Sequence, residues 1–210
     1  METAERSGVL ERVVFFSDAV FAIAITLLIF DVRAPILVAL NPDSSLLDQL
    51  GTMSGQLFAF VVGFLVIGSY WSSHLRVFRV VVRIDLALIW INLGFLFWIV
   101  AMPFVTATLG DNPLSRATVV LFAAVQVAAG LFQVLMWRYV VRHPVLVSEP
   151  LPALVARNVM FQLLEAPIVF FASILVTIVA GPVVGAWTWV GIAVLRGLMA
   201  RVYPIPATPL

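Results

Sequence analysis

The chain has 210 residues, of which 63% are hydrophobic and only 11% charged, and its mean hydropathy is +1.13. One soluble core of this length cannot hide that much apolar surface, so the composition excludes a water-soluble domain and predicts an all-α integral membrane protein embedded in a lipid bilayer. A formal charge of +1 leaves no nucleic-acid footprint, and the lack of cysteine excludes disulfides, thiolate metal sites and cysteine nucleophiles.

Six apolar runs approach the 20 or so residues that a bilayer core requires: about 13–32, 52–73, 86–108, 115–137, 157–180 and 182–200. They predict one six-helix domain over residues 1–210. The first run, VVFFSDAVFAIAITLLIFDV, is long, carries Ser17 and Asp18 near its start and has no polar cleavage region after Ala24, so it reads as a retained helix and not a signal peptide. Pro103 and Pro167 are expected to kink the third and fifth helices, and Gly181-Pro182 to separate the fifth from the sixth. The loop at 41–51 is the one sizeable extramembrane segment on its side. All twelve basic residues are arginines. Arg6, Arg12, Arg76, Arg79, Arg83, Arg138, Arg142, Arg157, Arg196 and Arg201 fall on one side of the predicted topology, with Arg33 and Arg116 on the other, so both termini are placed in the cytoplasm.

An aspartate inside a membrane helix costs about 2.5–3.5 kcal/mol near the bilayer centre and needs a partner. Arg12, six residues before Asp18, is one candidate. At about 100° per residue, Phe16, Ile23, Thr26, Leu27 and Phe30 share a stripe that Asp18 lies well away from. The carboxylate and the bulky stripe therefore face different surroundings, and Ala19, Ala22 and Ala24 allow close helix approach. Tyr70, Trp71 and His74 end the second helix, and Asp85 and Asn92 begin the third. Arg12, Ser17, Asp18, His74, Asp85 and Asn92 fall at similar membrane depth and read as a structural hydrogen-bond cluster. In the fifth helix, Glu165 is expected to pair with Arg157 two turns earlier.

The pattern Arg12, three residues, Phe16-Ser17-Asp18, then VFAIAITLLIFDVR resembles the signature of the transmembrane protein 175 family of potassium channels. Tyr70-Trp71 with His74, then Asp85, Asn92, and Pro103-Phe104 with Thr106, are similar to that family's second and third helices, so the resemblance spans residues 12–106. It implies a six-helix subunit in the cell membrane of a prokaryote, a homotetramer with a central pore lined by the first helix, potassium as permeant ion, and no fixed metal or cofactor. It makes Ile23 the narrowest constriction, Leu27 and Phe30 the outer lining, and Thr26 an ion-ligand layer. Arg12, Phe16, Ser17, Asp18, Trp71, His74, Asp85 and Asn92 become the motif scaffold. Three positions depart from the pattern: Leu75 where a second histidine is common, Ala19 where glycine is, and Phe30 where an aliphatic residue is.

Like the resembled family, the chain contains no TVGYG segment of the kind that builds a carbonyl filter. Four Ile23 side chains around an axis form a ring too apolar to hydrate an ion, one that closes by dewetting and conducts when widened. The alternative is a proton-coupled transporter using Asp18, Asp31 and Glu165, although no inverted repeat accompanies them. No G-x-S-x-G, H-E-x-x-H or paired acidic cluster supports an enzyme.

Overall fold

The computed structural model describes residues 2–32, 51 and 53–189, with side chains from Gly8 onward. The regular elements among these residues are helical: α1 (Glu2–Leu27), continued by a 3-10 turn over Leu28–Asp31; α2 (Ser54–Phe78); α3 (Leu86–Asp111); α4 (Arg116–Arg142); α5 (Ala153–Ala180); and the short α6 (Pro182–Trp187). Five segments, Gly8–Asp31 and the whole of α2, α3, α4 and α5, are long and apolar enough to cross a membrane. The expected outer loop at 41–51, except its last residue, and the sixth run beyond Trp189 lie outside the described residues, as do Arg33, Arg196 and Arg201.

All five long helices overrun the apolar runs that announce them, with α1 starting at Glu2 instead of 13 and α3 continuing to Asp111 instead of 108. α2 continues to Phe78 instead of ending near 73, α4 continues to Arg142 instead of 137, and α5 starts at Ala153 instead of 157. A hydropathy window stops at the first cluster of charge, whereas backbone hydrogen bonding does not. Arginine is a good helix former whose long stem covers apolar surface while its head reaches the interface. The start of α3 is sharper. Asp85 is extended (φ −120°, ψ 170°) and its Oδ1 accepts from the Leu88 N–H at 2.8 Å, an N-cap that satisfies one of the helix's orphan donors. The α2–α3 and α4–α5 turns are tied together, with the Val82 and Arg83 N–H groups donating to the Leu146 carbonyl at 2.8 and 3.2 Å.

α3 is the central element, with α1, α2 and α4 all packed on it, and α4 packs in turn against α5. Pro103 and Pro167 both lie inside continuous helices. At Gly130 the α4 backbone approaches the Pro167 ring so closely that an added Cβ would sit 2.7 Å from Pro167 Cδ. α5 ends at Gly181, whose φ of 97° reverses the chain into α6. The outward faces carry large apolar side chains such as Trp90, Phe97, Phe104 and Phe171, which suits helices bathed in hydrocarbon and not water.

Candidate functional site

α1 divides into two faces. Ser17, Phe21, Ala24 and Leu28, spaced as successive turns of one side, are buried against α2 and α3. On the other side Phe16, Ile23, Leu27 and Phe30 are 51%, 59%, 44% and 76% exposed in the single chain. Ala19, Ala22 and Thr26 are exposed with them. The Thr26 hydroxyl donates to the Ile23 carbonyl at 2.9 Å, which ties up its hydrogen and leaves its oxygen lone pairs as the group presented outward.

The buried face is fixed by a directional line of hydrogen bonds. His74 Nε2 lies 2.9 Å from Asn92 Oδ1, and since an amide oxygen only accepts, the imidazole carries its proton on Nε2 and donates. Asn92 Nδ2 then donates to Ser17 Oγ at 2.9 Å, and Ser17 donates to the Val13 carbonyl at 2.8 Å. Each group thus spends its donor on the next acceptor. Interhelical bonds of this kind average about 0.6 kcal/mol in membranes, with a maximum near 1.7. Aromatic rings enclose the imidazole: Phe78 at a centroid distance of 4.5 Å, Phe21 at 5.6 Å and Phe95 at 5.7 Å, the last nearly parallel. Tyr70 completes this packing edge-on to Phe95, and its hydroxyl donates to the Gln126 carbonyl of α4 at 2.7 Å.

Asp18 takes its hydrogen bond from Trp71, whose Nε1–H donates to Oδ1 at 2.9 Å, while the Arg12 side chain is exposed. An indole donor is a neutral means of satisfying a half-buried carboxylate. Asp85 stands apart from the Ser17–Asn92–His74 line. Besides capping α3 it accepts from the Tyr139 hydroxyl of α4 at 2.7 Å, so these bonds join α3 to α4 and not to α1. Glu165 is buried within α5, and Arg157 is exposed at that helix's start. Phe21, Phe95 and Tyr139 are participants that the sequence had not singled out, since an aromatic ring inside an apolar run carries no sign of which partner it meets. Among the described residues no group of three or more His, Cys, Asp or Glu side chains is arranged to hold a metal ion.

Known proteins resemble this chain in sequence and in fold. The model of the family described as the endosomal/lysosomal potassium channel TMEM175 matches residues 12–103. A potassium channel of Streptomyces collinus is 41% identical over 131 residues, covering 60% of this chain and 62% of that protein. A potassium channel of Chamaesiphon minutus is 30% identical over 137 residues, 61% of this chain and 64% of its own. The zebrafish endosomal/lysosomal proton channel TMEM175 is 26% identical over 170 residues, 78% of this chain and 32% of its own. The chain thus spans less than two thirds of the length of each of these relatives. In fold it is similar to the crystal structure of a lysosomal potassium-selective channel TMEM175 homolog from Chamaesiphon minutus, with a TM-score of 0.73 at 24% identity over 94% of this chain and 99% of that one. A variant of the potassium channel MtTMEM175, solved in complex with a nanobody fusion protein, gives a TM-score of 0.63 at 17% identity, covering 91% and 92%. The motif of α1 and its partners on α2 and α3 lie inside the matched stretch, so the chain is similar to the TMEM175 family over residues 12–103 and shares the fold of its solved members.

Proposed function

We propose that this chain is one subunit of a potassium-permeable cation channel, a homotetramer in which four α1 helices surround a central pore. In this reading residues 1–210 form a single six-helix domain in a prokaryotic cell membrane, with both termini in the cytoplasm. Ile23 forms the gate, Leu27 and Phe30 the outer apolar lining, and Thr26 a hydroxyl layer. Ser17, Asp18, Trp71, His74 and Asn92 hold α1 in orientation, Asp85 fixes α3 against α4, and Arg12 and Phe16 complete the motif at the helix's inner end.

The observation that carries this reading is the division of α1. Its polar motif is consumed by the chain's own α2 and α3, and the opposite side presents Ile23 and Leu27 around an outward-facing threonine oxygen. A face meant only for lipid has no use for that oxygen, whereas a ring of four such hydroxyls supplies replacement ligands for a partly dehydrated cation. Between rings, the apolar side chains supply a barrier that width alone controls.

The test is a reversal potential. Purified protein in planar bilayers under opposed potassium and sodium gradients is expected to reverse toward the potassium equilibrium value, and Ile23→Asn to raise the leak and move reversal toward zero. Wild-type selectivity in Ile23→Asn, or flux strictly coupled to a proton gradient, would overturn the assignment.

A further inference from the structure

Away from α1, an open groove of about 450 Å³ runs between α4 and α5 at their arginine-bearing end. Arg138 and Arg142, one turn apart on α4, and Arg157, near the start of α5, line its mouth. All three side chains are exposed, and no carboxylate is among the described residues that line the groove. Its deeper wall is apolar, formed by Val134, Trp137 and Leu164. The Trp137 Nε1–H already donates to the Ala156 carbonyl at 2.9 Å, so the indole offers an occupant only its hydrocarbon surface. The shape has a local cause. The two helices approach closely at Gly130 and Pro167, and the groove begins one turn further along α4, at Val134.

A second groove of about 340 Å³ shares Arg138 and Arg142 and is walled by Leu131, Val134, Leu135 and Tyr139. Two apolar channels therefore meet at one pair of guanidinium groups. The nearby carboxylate of Asp85 is engaged by Leu88 and Tyr139, so it leaves those guanidiniums to other anions. Both helices that form the first groove are long and apolar enough to cross a membrane, and its open side faces what lies beside them. The occupant must then come from the bilayer, and the charge at the mouth selects among its headgroups.

We propose that this groove binds an anionic diacyl phospholipid of the surrounding leaflet. Its phosphate is held by Arg138, Arg142 and Arg157, one acyl chain lies along Val134, Trp137 and Leu164, and the other enters the adjoining channel. Guanidinium suits this task because its planar fork matches two phosphate oxygens at once. Basic pockets between membrane helices at this depth are where anionic headgroups dock. The site is independent of what the pore conducts.

The experiment counts lipids on the purified full chain by native mass spectrometry during titration with phosphatidylglycerol or phosphatidylcholine. The wild type is expected to retain one phosphatidylglycerol per subunit in preference to phosphatidylcholine. R138Q/R142Q/R157Q should weaken phosphatidylglycerol roughly hundredfold, and Arg157→Gln alone about fivefold, which keeps the test decisive if the triple variant does not fold. R79Q/R83Q, which removes two exposed arginines from the α2–α3 turn, should change neither lipid. Equal binding of the two lipids by the wild type, unchanged binding in Arg157→Gln, or an equal loss in R79Q/R83Q would overturn the site in favour of diffuse attraction. Loss of the oligomer in Arg157→Gln, read in the same spectra, would overturn it in favour of a second copy of the chain.

Discussion

α1 meets α2 and α3 through a line of polar atoms, whereas α4 meets α5 at a close glycine–proline approach. On the first side, His74, Asn92 and Ser17 form a line of hydrogen bonds, and Trp71 reaches Asp18 beside it. On the second, Gly130 sits against the Pro167 ring and Trp137 fills the space two turns on, where its indole donates to the Ala156 carbonyl. The difference matters because lipid tails are as apolar as leucine, so burial gives two membrane helices little reason to choose one rotation over another. Close packing sets how near two helices come. A hydrogen bond between side chains also sets which way each is turned. Rotating α1 by one residue, about 100°, would pull Ser17 from Asn92 and swing Ile23 off its present side. The helix that carries the proposed gate has its azimuth fixed by directional bonds.

Asn92→Leu should break this contrast most severely. It keeps the volume but removes the acceptor of the buried His74 Nε2–H and the donor to Ser17, a loss of about 2–3 kcal/mol. The measurement is the melting temperature in detergent together with the reversal potential, and both should fall. An unchanged reversal potential in protein that still folds would show that the line of hydrogen bonds does not aim α1. Gly130→Ala should come next, at about 2 kcal/mol, because its Cβ would meet the rigid Pro167 ring and not the end of a flexible side chain. Here melting should drop while ion selectivity stays at the wild-type value, since the damage is to spacing. Trp71→Phe is a smaller perturbation: the ring remains but Asp18 loses its donor, with a cost of about 1 kcal/mol. If Arg12 were the true partner of Asp18, Arg12→Gln would be the more harmful of the two, which a paired melting comparison decides.

Much of α1 was legible before any coordinates because a carboxylate in hydrocarbon demands a partner, and because a 3.6-residue period sorts Ser17 and Asp18 from Ile23 and Leu27. The identity of that partner was not. Arg12 is near Asp18 in sequence and of opposite charge, but the donor is Trp71, more than fifty residues away, brought there by the register of α2 against α1. No local pattern encodes such a register. Asp85 illustrates the same point: its depth suggested membership of the α1 cluster, yet it caps α3 and binds Tyr139 on the far side. The helix ends beyond residues 73 and 137 were hidden for a different reason, since hydropathy records where the hydrocarbon ends and not where the helix does.

The smallest structural effect belongs to Thr26→Val, and there the comparison between aiming and conducting is sharpest. Valine keeps the β-branched shape, and the bond that is lost runs only from the hydroxyl to the Ile23 carbonyl of the same helix at an exposed position. Surface changes of this kind stay within about 0.5 kcal/mol, so melting should be unaffected. The four oxygens of the proposed ring would nevertheless be replaced by methyl groups, leaving a passing cation with no ligand between the Ile23 and Phe30 layers. The potassium-to-sodium permeability ratio should therefore drop with the fold untouched. A ratio equal to the wild type would assign discrimination to the width of the apolar rings alone, and Thr26 would then serve the helix and not the ion.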